Sequence, residues 1–296
     1  MDKTTDRLKL AIVLSSGLVT VSMASVLIKL CSAPSAVIAM YRLGIAAIFF
    51  CVFTRLKLGP SWSRFTREQR RIAILSGIFL TIHFISWITS LKFTSVASSV
   101  VLVQSAPIFV ALGSFLFLAE RPPLLAIPGI AIVLLGGLLI GFHDFSLDEN
   151  SLFGNLLAVG GAVGAAGYVL AGRKLRATVD TFQYVTVVYS ISAMMLAGIV
   201  ILNRLPVLGY NAHEYLLLIA IAIFPQIIGH TSFNWALKYI SATAVSVILL
   251  AEPIGASILA FVILGEMVSL MKAIGGLIIL CGVGLVLYAE SKTITR

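Results

Sequence analysis

Long apolar runs separated by short polar breaks fill almost the whole chain. They cover Leu10–Leu30, Ala36–Phe53, Ile72–Leu91, Ser95–Ala119, Leu124–Gly141, Phe153–Gly172, Thr181–Leu202, Tyr215–Leu237, Ala242–Leu264 and Leu270–Ala289. Each has about 18–25 residues, enough to cross about 30 Å of hydrocarbon as a helix. The runs are continuously apolar and lack the two-residue alternation of a membrane barrel. The first follows a charged segment, Met1–Lys9, and could pass for a secretory signal. Its apolar character continues to Leu30 and many further runs follow, so it reads as a membrane helix. The pattern predicts an all-α integral membrane protein with ten transmembrane helices.

Composition agrees. Of 296 residues, 59% are hydrophobic and 11% charged, with a mean hydropathy of +1.07. Soluble domains are about 45–50% apolar and about 25% charged. Disorder, a secreted disulfide scaffold and a collagen-like fibre are excluded, and no room is left for a soluble catalytic domain. Cys31, Cys51 and Cys281 lie in or beside apolar runs without metal-ligand spacing, and read as small packing residues.

The net charge of +9 is explained by where the basic residues fall. Sixteen of the 21 lie on one side of the predicted spans, including Lys9, Arg55, Lys57, Arg67, Arg121, Arg173, Lys174, Arg176 and Lys238. Lys29, Lys92, Arg204 and Lys272 lie on the other, and Arg42 lies within a span. By the positive-inside rule the basic side is cytoplasmic. Both termini then face the cytoplasm, as an even number of spans requires, and the acidic loop Asp144, Asp148, Glu149 lies outside. This predicts a multi-pass plasma-membrane protein, of the inner membrane in a bacterium, and gives no reason to expect a nucleic-acid partner.

The chain also matches itself at a shift of 146 residues. Leu91–Leu139 aligns with Leu237–Leu285 without a gap, with 15 of 49 positions identical, including Pro107/Pro253, Glu120/Glu266, Gly129/Gly275 and Gly136/Gly282. Apolar composition alone gives roughly five. Each half, 1–147 and 148–296, carries five spans. An odd number turns the second half upside down, and Lys92 and its counterpart Lys238 fall on opposite sides. Inverted repeats are an architecture of secondary transporters, with substrate bound near the midplane.

Only Arg42 and Glu252 place a full charge deep within a span. Such charges are costly and face the bundle interior. They read either as a packing salt bridge or as working groups, with Arg42 on an anionic group and Glu252 exchanging a proton or touching substrate. Pro253, directly after Glu252, opens the helix and is a candidate gating bend, as is Pro107. Gln226, His230 and Asn234, at i, i+4 and i+8, share one helix face and are cavity candidates. His83 and Trp87 form a similar pair, and Gln104 and Tyr41 are further candidates. Glu120 and Glu266 read as capping or packing groups at span ends. Lys29 reads as a snorkelling side chain. Gly160, Gly161, Gly164 and Gly167 read as a close-packing seam. No Lys-Ser/Thr follows them, which argues against a phosphate loop and ATP-driven transport. No catalytic triad, metal motif or cofactor motif is evident, so neither a metal nor a cofactor is expected, and the protein is not expected to be an enzyme.

The stretches Ala251-Glu252-Pro253, Leu264-Gly265-Glu266 and Gly275-Gly276, with Ala106-Pro107, Ala119-Glu120 and Gly129 in the first half, resemble the EamA-type family of the drug/metabolite transporter superfamily. Val21-Ser22-Met23-Ala24 departs from the Trp-Gly pair expected in span 1. The resemblance implies a ten-helix secondary transporter, typically an exporter of amino acids and other small metabolites. The expected partners are a small-molecule solute, the lipid bilayer and a proton as coupling ion. Efflux of drugs or organic cations, served by Glu252 and Trp87, and a nontransport membrane role are the alternatives. Oligomeric state is not legible.

Overall fold

The computed structural model describes residues 3–57, 65–94, 99, 102–120, 123–141, 149–264 and 270–294. Arg64, Arg121, the loop residues Asp144 and Asp148, and Gly265 and Glu266 lie outside them. The described residues form helices and no strand. These are α1 (Lys3–Leu30), α2 (Ser35–Lys57), α3 (Arg67–Ser90), α4 (Ala106–Phe117), α5 (Ala126–Gly141), α6 (Glu149–Arg176), α7 (Thr181–Leu202), α8 (Ala212–Ala236), α9 (Ala242–Leu249), α10 (Glu252–Leu264) and α11 (Leu270–Ile294). Among the described residues, seven helical segments are long and apolar enough to cross a membrane, with α9 and α10 together counting as one; three shorter apolar helices accompany them.

Polar residues at the breaks start the helices. Thr66 and Gln69 form a reciprocal capping box on α3, at 3.2 and 2.8 Å. The Asp180 carboxylate accepts from the Phe182 N–H at the start of α7, Asn211 from the Glu214 N–H on α8, and Ser241 from the Ala244 N–H on α9. Each side chain satisfies an amide that has no partner within its helix. The outer surface is apolar, with Ile48, Phe117 and Leu202 among many large exposed side chains. A soluble monomer rarely exposes so much contiguous apolar surface, whereas lipid covers it at no cost.

Two runs that read as single helices are interrupted. The fourth breaks at residues 104–105 and the ninth at 250–251, so that α4 restarts at Ala106 and α10 at Glu252. Pro107 and Pro253 lack the N–H that would bond back one turn, and each falls in the first turn of the restarted helix, where no such bond is needed. The breaks match bond for bond. Ser105 donates to Leu102 O and Ile108 to Ser105 O; at the same register, Ala251 donates to Ile248 O and Ile254 to Ala251 O.

Packing is reciprocal as well. α2 lies on α7, α5 on α11 and α4 on α9. The remaining large contacts come in pairs: α3 with α6 and α8 with α1, α3 with α7 and α8 with α2, α4 with α6 and α10 with α1. The α5–α11 contact is tightest at glycines. A Cβ on Gly136 would lie 2.7 Å from Gly275 O, and one on Gly129 3.1 Å from Gly282 O. Side chains there would force the helices apart, so these glycines are needed for close approach.

Candidate functional site

α1, α2, α3, α4, α6, α8, α9 and α10 surround a cavity of about 100 Å³, and among the described residues α5, α7 and α11 supply none of its lining. Of the residues picked out from sequence, Arg42, His83, Trp87, Gln104, Pro107, His230, Asn234 and Glu252 line it. Both helix breaks open onto it, through Gln104 and Ala106 on one side and Leu250 and Glu252 on the other.

Arg42, on α2, is 1% exposed. Its Nε donates to Gln226 Oε1 at 2.7 Å, and its guanidinium lies 4.3 Å from the centre of the Phe84 ring. Its Nη1 is buried without a hydrogen-bond partner. No ion pair within 4 Å joins it to Glu252, although both face the same cavity. The packing salt bridge that sequence allowed is therefore not formed here. Glu252 is the first residue of α10, where the free amides of a helix start favour a negative charge. Its backbone carbonyl accepts from Ser22 Oγ at 3.2 Å, tying α1 to the break. No hydrogen bond reaches its carboxylate from the described residues. The site thus presents one unpaired group of each sign.

α6 brings α3 into register through its glycine seam. A Cβ on Gly164 would meet the His83 backbone at 2.6–2.9 Å, so only glycine lets the helices touch there. That contact sets the Gly161 carbonyl 2.9 Å from His83 Nδ1. A carbonyl only accepts, so His83 carries its proton on Nδ1 and, when neutral, keeps an acceptor at Nε2. His83 stacks on Trp87 with ring centres 5.9 Å apart and 9° between planes. His230 follows at 6.5 Å from His83 and 5.5 Å from Phe84, which carries Arg42 on its ring. The guanidinium, the two imidazoles and the indole line the cavity, and the buried Phe84 ring backs Arg42 and His230 from behind. Trp87 Nε1 is buried without a partner.

Gln226, His230 and Asn234 do not share a face as helical spacing predicts. Residues Ala222–His230 of α8 wind as a π-helix around Pro225, and Thr231 Oγ1 donates to the Gln226 carbonyl five residues back. The wider winding turns Gln226 behind the cavity wall onto Arg42, while His230 and Asn234 face the cavity. Such bulges recur at functional sites. Tyr41 also stands apart: its hydroxyl donates to Val207 O at 2.9 Å within a Tyr41–Tyr215–Tyr210 cluster at one end of the bundle. Pro253 is buried beside Glu252 and does not line the cavity.

Sequence reading missed Tyr168, Phe84 and Ser246. Tyr168 lines the cavity and its hydroxyl accepts from Asn234 Nδ2, which also donates to Tyr189 at 3.2 Å. The Tyr168 hydroxyl, buried with the ring, must find a partner inside the bundle. Glu120, read as a capping group, is part of a clamp. Arg173 Nε donates to Glu120 Oε1 at 2.8 Å, and Arg173 Nη1 to Leu237 O at 2.7 Å. One guanidinium thereby joins the same-side ends of α4, α6 and α8, all three of which line the cavity.

These features define a multi-pass helical membrane protein with a cavity between its helices, whose largely apolar walls carry a few polar and charged groups. The chain matches the EamA-like transporter family over residues 8–142 and again over 152–288, and it belongs to that family. Its partners are therefore a small-molecule solute and the lipid bilayer. The chain is similar to the pseudopaline exporter CntI of Pseudomonas aeruginosa strain PAO1, 28% identical over 230 residues that cover 77% of this chain and 78% of the relative. It is 26% identical to an uncharacterized transporter of Archaeoglobus fulgidus, over 84% of this chain and 87% of the relative. It is 28% identical to the uncharacterized transporter YwfM of Bacillus subtilis, over 75% and 74%. A solved crystal structure of 19% identity superposes with a TM-score of 0.80 over 96% of this chain and 98% of the other, which shows a shared fold.

Proposed function

We propose that the protein is a secondary-active exporter of small zwitterionic metabolites, amino acids or related compounds, working by alternating access. Unpaired Arg42 and Glu252 facing a single cavity carry this reading. A zwitterion satisfies both at once, its anionic group on Arg42 and its cationic group near Glu252, whereas an organic cation leaves Arg42 without a counter-charge. The stacked His83–Trp87 wall suits the solute's side chain. Export agrees with what the Pseudomonas relative's name says of that protein.

The scaffold of this reading is ten spans in two inverted five-helix repeats, 1–147 and 148–296, with both termini cytoplasmic. The reciprocal helix contacts, the matched breaks at 104–105 and 250–251 and the twofold match to the family support it. In this arrangement Pro107 and Pro253 mark bends where half-helices rock, and the Arg173–Glu120 clamp closes the cytoplasmic end. Glu252, whose carboxylate accepts no hydrogen bond from a described residue, is the group whose protonation would couple solute release to a proton gradient.

The test is solute release from cells overproducing the protein, profiled by mass spectrometry, with Glu252→Gln at matched membrane abundance. The expected result is a few zwitterionic solutes enriched in the medium by wild type and not by the variant. Enrichment that survives the substitution removes Glu252 from the mechanism. No enrichment of any solute overturns the exporter reading.

A further inference from the structure

Resting on the alternating-access reading, we propose that Asn234 is a positioning residue that ties the cavity wall to the end of the bundle read as cytoplasmic, so that the wall and that end come apart together. Two carbonyls at the end of α8 lack their helical donors. The Lys238 N–H turns to Trp235 O at 3.3 Å, which leaves Asn234 O, and the helix stops at Ala236, which leaves Leu237 O. Carbonyls at a helix end need partners from elsewhere, and cations suit them. Both partners come from α6. Arg176 Nε donates to Asn234 O at 3.1 Å, and Arg173 Nη1 donates to Leu237 O at 2.7 Å. Arg176 is buried, and its Nη1 also donates to Val179 O, so the turn after α6 fixes its place.

The same Asn234 meets α6 a second time, through its side chain. Its Nδ2 donates to the Tyr168 hydroxyl, and both residues line the cavity. Asn234 is therefore held from two levels of one helix, by Tyr168 at the cavity and by Arg176 two turns further on. Gly172 lies between these levels, where a Cβ would stand 2.9 Å from Leu237 Cδ1, so α6 and α8 are in close contact there. Opening this end moves α6 away from α8, which releases Arg173 and Arg176 and breaks the Tyr168–Asn234 bond with them. The wall made by Tyr168 and Asn234 then belongs to the closed arrangement alone. A solute resting on it binds the two arrangements unequally, and only unequal binding lets a solute shift one to the other. At a shift of 146 residues, Leu27 and Leu30 stand in the places of Arg173 and Arg176, and neither side chain can donate. The pair of arginines is thus not copied at those positions in α1.

The test places one reporter, Ser246→Cys in the cavity wall, in the full chain with Cys31, Cys51 and Cys281 changed to serine. Its labelling by an impermeant maleimide is timed in inside-out and in right-side-out vesicles. Arg176→Gln should raise the inside rate and lower the outside rate, moving their ratio about tenfold, as the loss of one hydrogen bond from a charged group allows. Tyr168→Phe, a change at the cavity, should move both rates in the same directions. Arg176→Lys keeps the charge and should fall between wild type and Arg176→Gln; it takes that variant's place if Arg176→Gln does not fold. Rates that rise from both sides show a loosened bundle and overturn the proposal. A ratio that Tyr168→Phe leaves unchanged overturns it as well, because the wall is then not tied to the end. Solute release by wild-type cells separates this proposal from the exporter reading. Release without the directional change leaves the exporter and removes the tie; the directional change without release leaves the tie and removes the exporter.

Discussion

Replacing Gly136 by alanine tests whether α5 and α11 are held together by backbone contact. The added Cβ would lie 2.7 Å from Gly275 O, 2.9 Å from Ile279 Cγ1 and 3.0 Å from Ile279 N. Carbon-to-oxygen contacts settle at about 3.3–3.6 Å, so the helices must part by roughly 0.6 Å or more along a shared seam. Two of the three obstructing atoms are backbone and cannot rotate away. Overpacking of this kind costs about 1–3 kcal/mol. Against it stands the helix-propensity gain of glycine to alanine, about 0.5–1 kcal/mol. The net expectation is a loss of about 1–2 kcal/mol. Gly282→Ala should behave alike, since its Cβ would meet Gly129 O at 2.8 Å and Val133 N at 2.9 Å. Gly137 and Gly284 are the internal controls. Nothing lies within 4 Å of a Cβ at either, so alanine there should keep the propensity gain and raise stability slightly. The assay is the apparent Tm of the four purified variants in one detergent. If Gly137→Ala and Gly284→Ala lower Tm as much as Gly136→Ala and Gly282→Ala, the seam does not depend on backbone approach and the packing argument fails.

Two further expectations can be checked directly. Arg173→Gln should loosen the clamp on Glu120 and Leu237, and a Ser246→Cys reporter in the cavity wall should then be labelled faster by an impermeant maleimide in inside-out vesicles; an unchanged rate would show that Arg173 closes nothing. At the opposite end, burial and a hydrogen bond from Cys31 Sγ to Glu214 push the Cys31 thiol up to about 11. Since the thiolate is the nucleophile, alkylation of Cys31, in a chain whose other two cysteines are serine, should keep rising from pH 9 to pH 11. A plateau near pH 9 would show that the Glu214 contact is not maintained.

Much of the fold was legible because its signals are long. A run of about 20 apolar residues has few alternatives to a membrane helix, and the glycines and prolines matched at a shift of 146 residues fall at the observed seam and breaks. What stayed hidden depends on local winding and on distant contacts. Helical spacing put Gln226 beside His230 and Asn234, and the π-turn at Pro225 separated them. Pro107 and Pro253 signalled bends, but a proline in a membrane helix also occurs without a break, and only the bonds at residues 102–108 and 248–254 show that the helices restart. Arg42 and Glu252 stood out as rare charges in apolar runs. That they share a cavity without pairing is a matter of where α2 and α10 pack, which no spacing along the chain encodes. Glu120 read as a cap because its partner, Arg173, is 53 residues away.

The scaffold and the chemistry of the site follow different symmetries, and this bears on how such a protein could work. Pro107 and Pro253 stand at the same register, the breaks before them carry the same bonds, and the glycines of α5 and α11 interlock reciprocally. Yet where α10 begins with Glu252, α4 begins with Ala106, and where the first break presents Gln104, the second presents Leu250. A scaffold of two alike halves has two arrangements of similar energy, one for each half in the other's role, so modest differences in binding energy can shift the population between them. A single bound solute has no such symmetry. On the zwitterion proposal it needs one cationic and one anionic contact, and duplicating Glu252 at residue 106 would set two carboxyl groups in one small cavity, where like charges oppose each other's ionisation. On the alternating-access proposal, matched backbone breaks with unmatched side chains reconcile a scaffold that exchanges its two ends with a site that holds one molecule in one orientation.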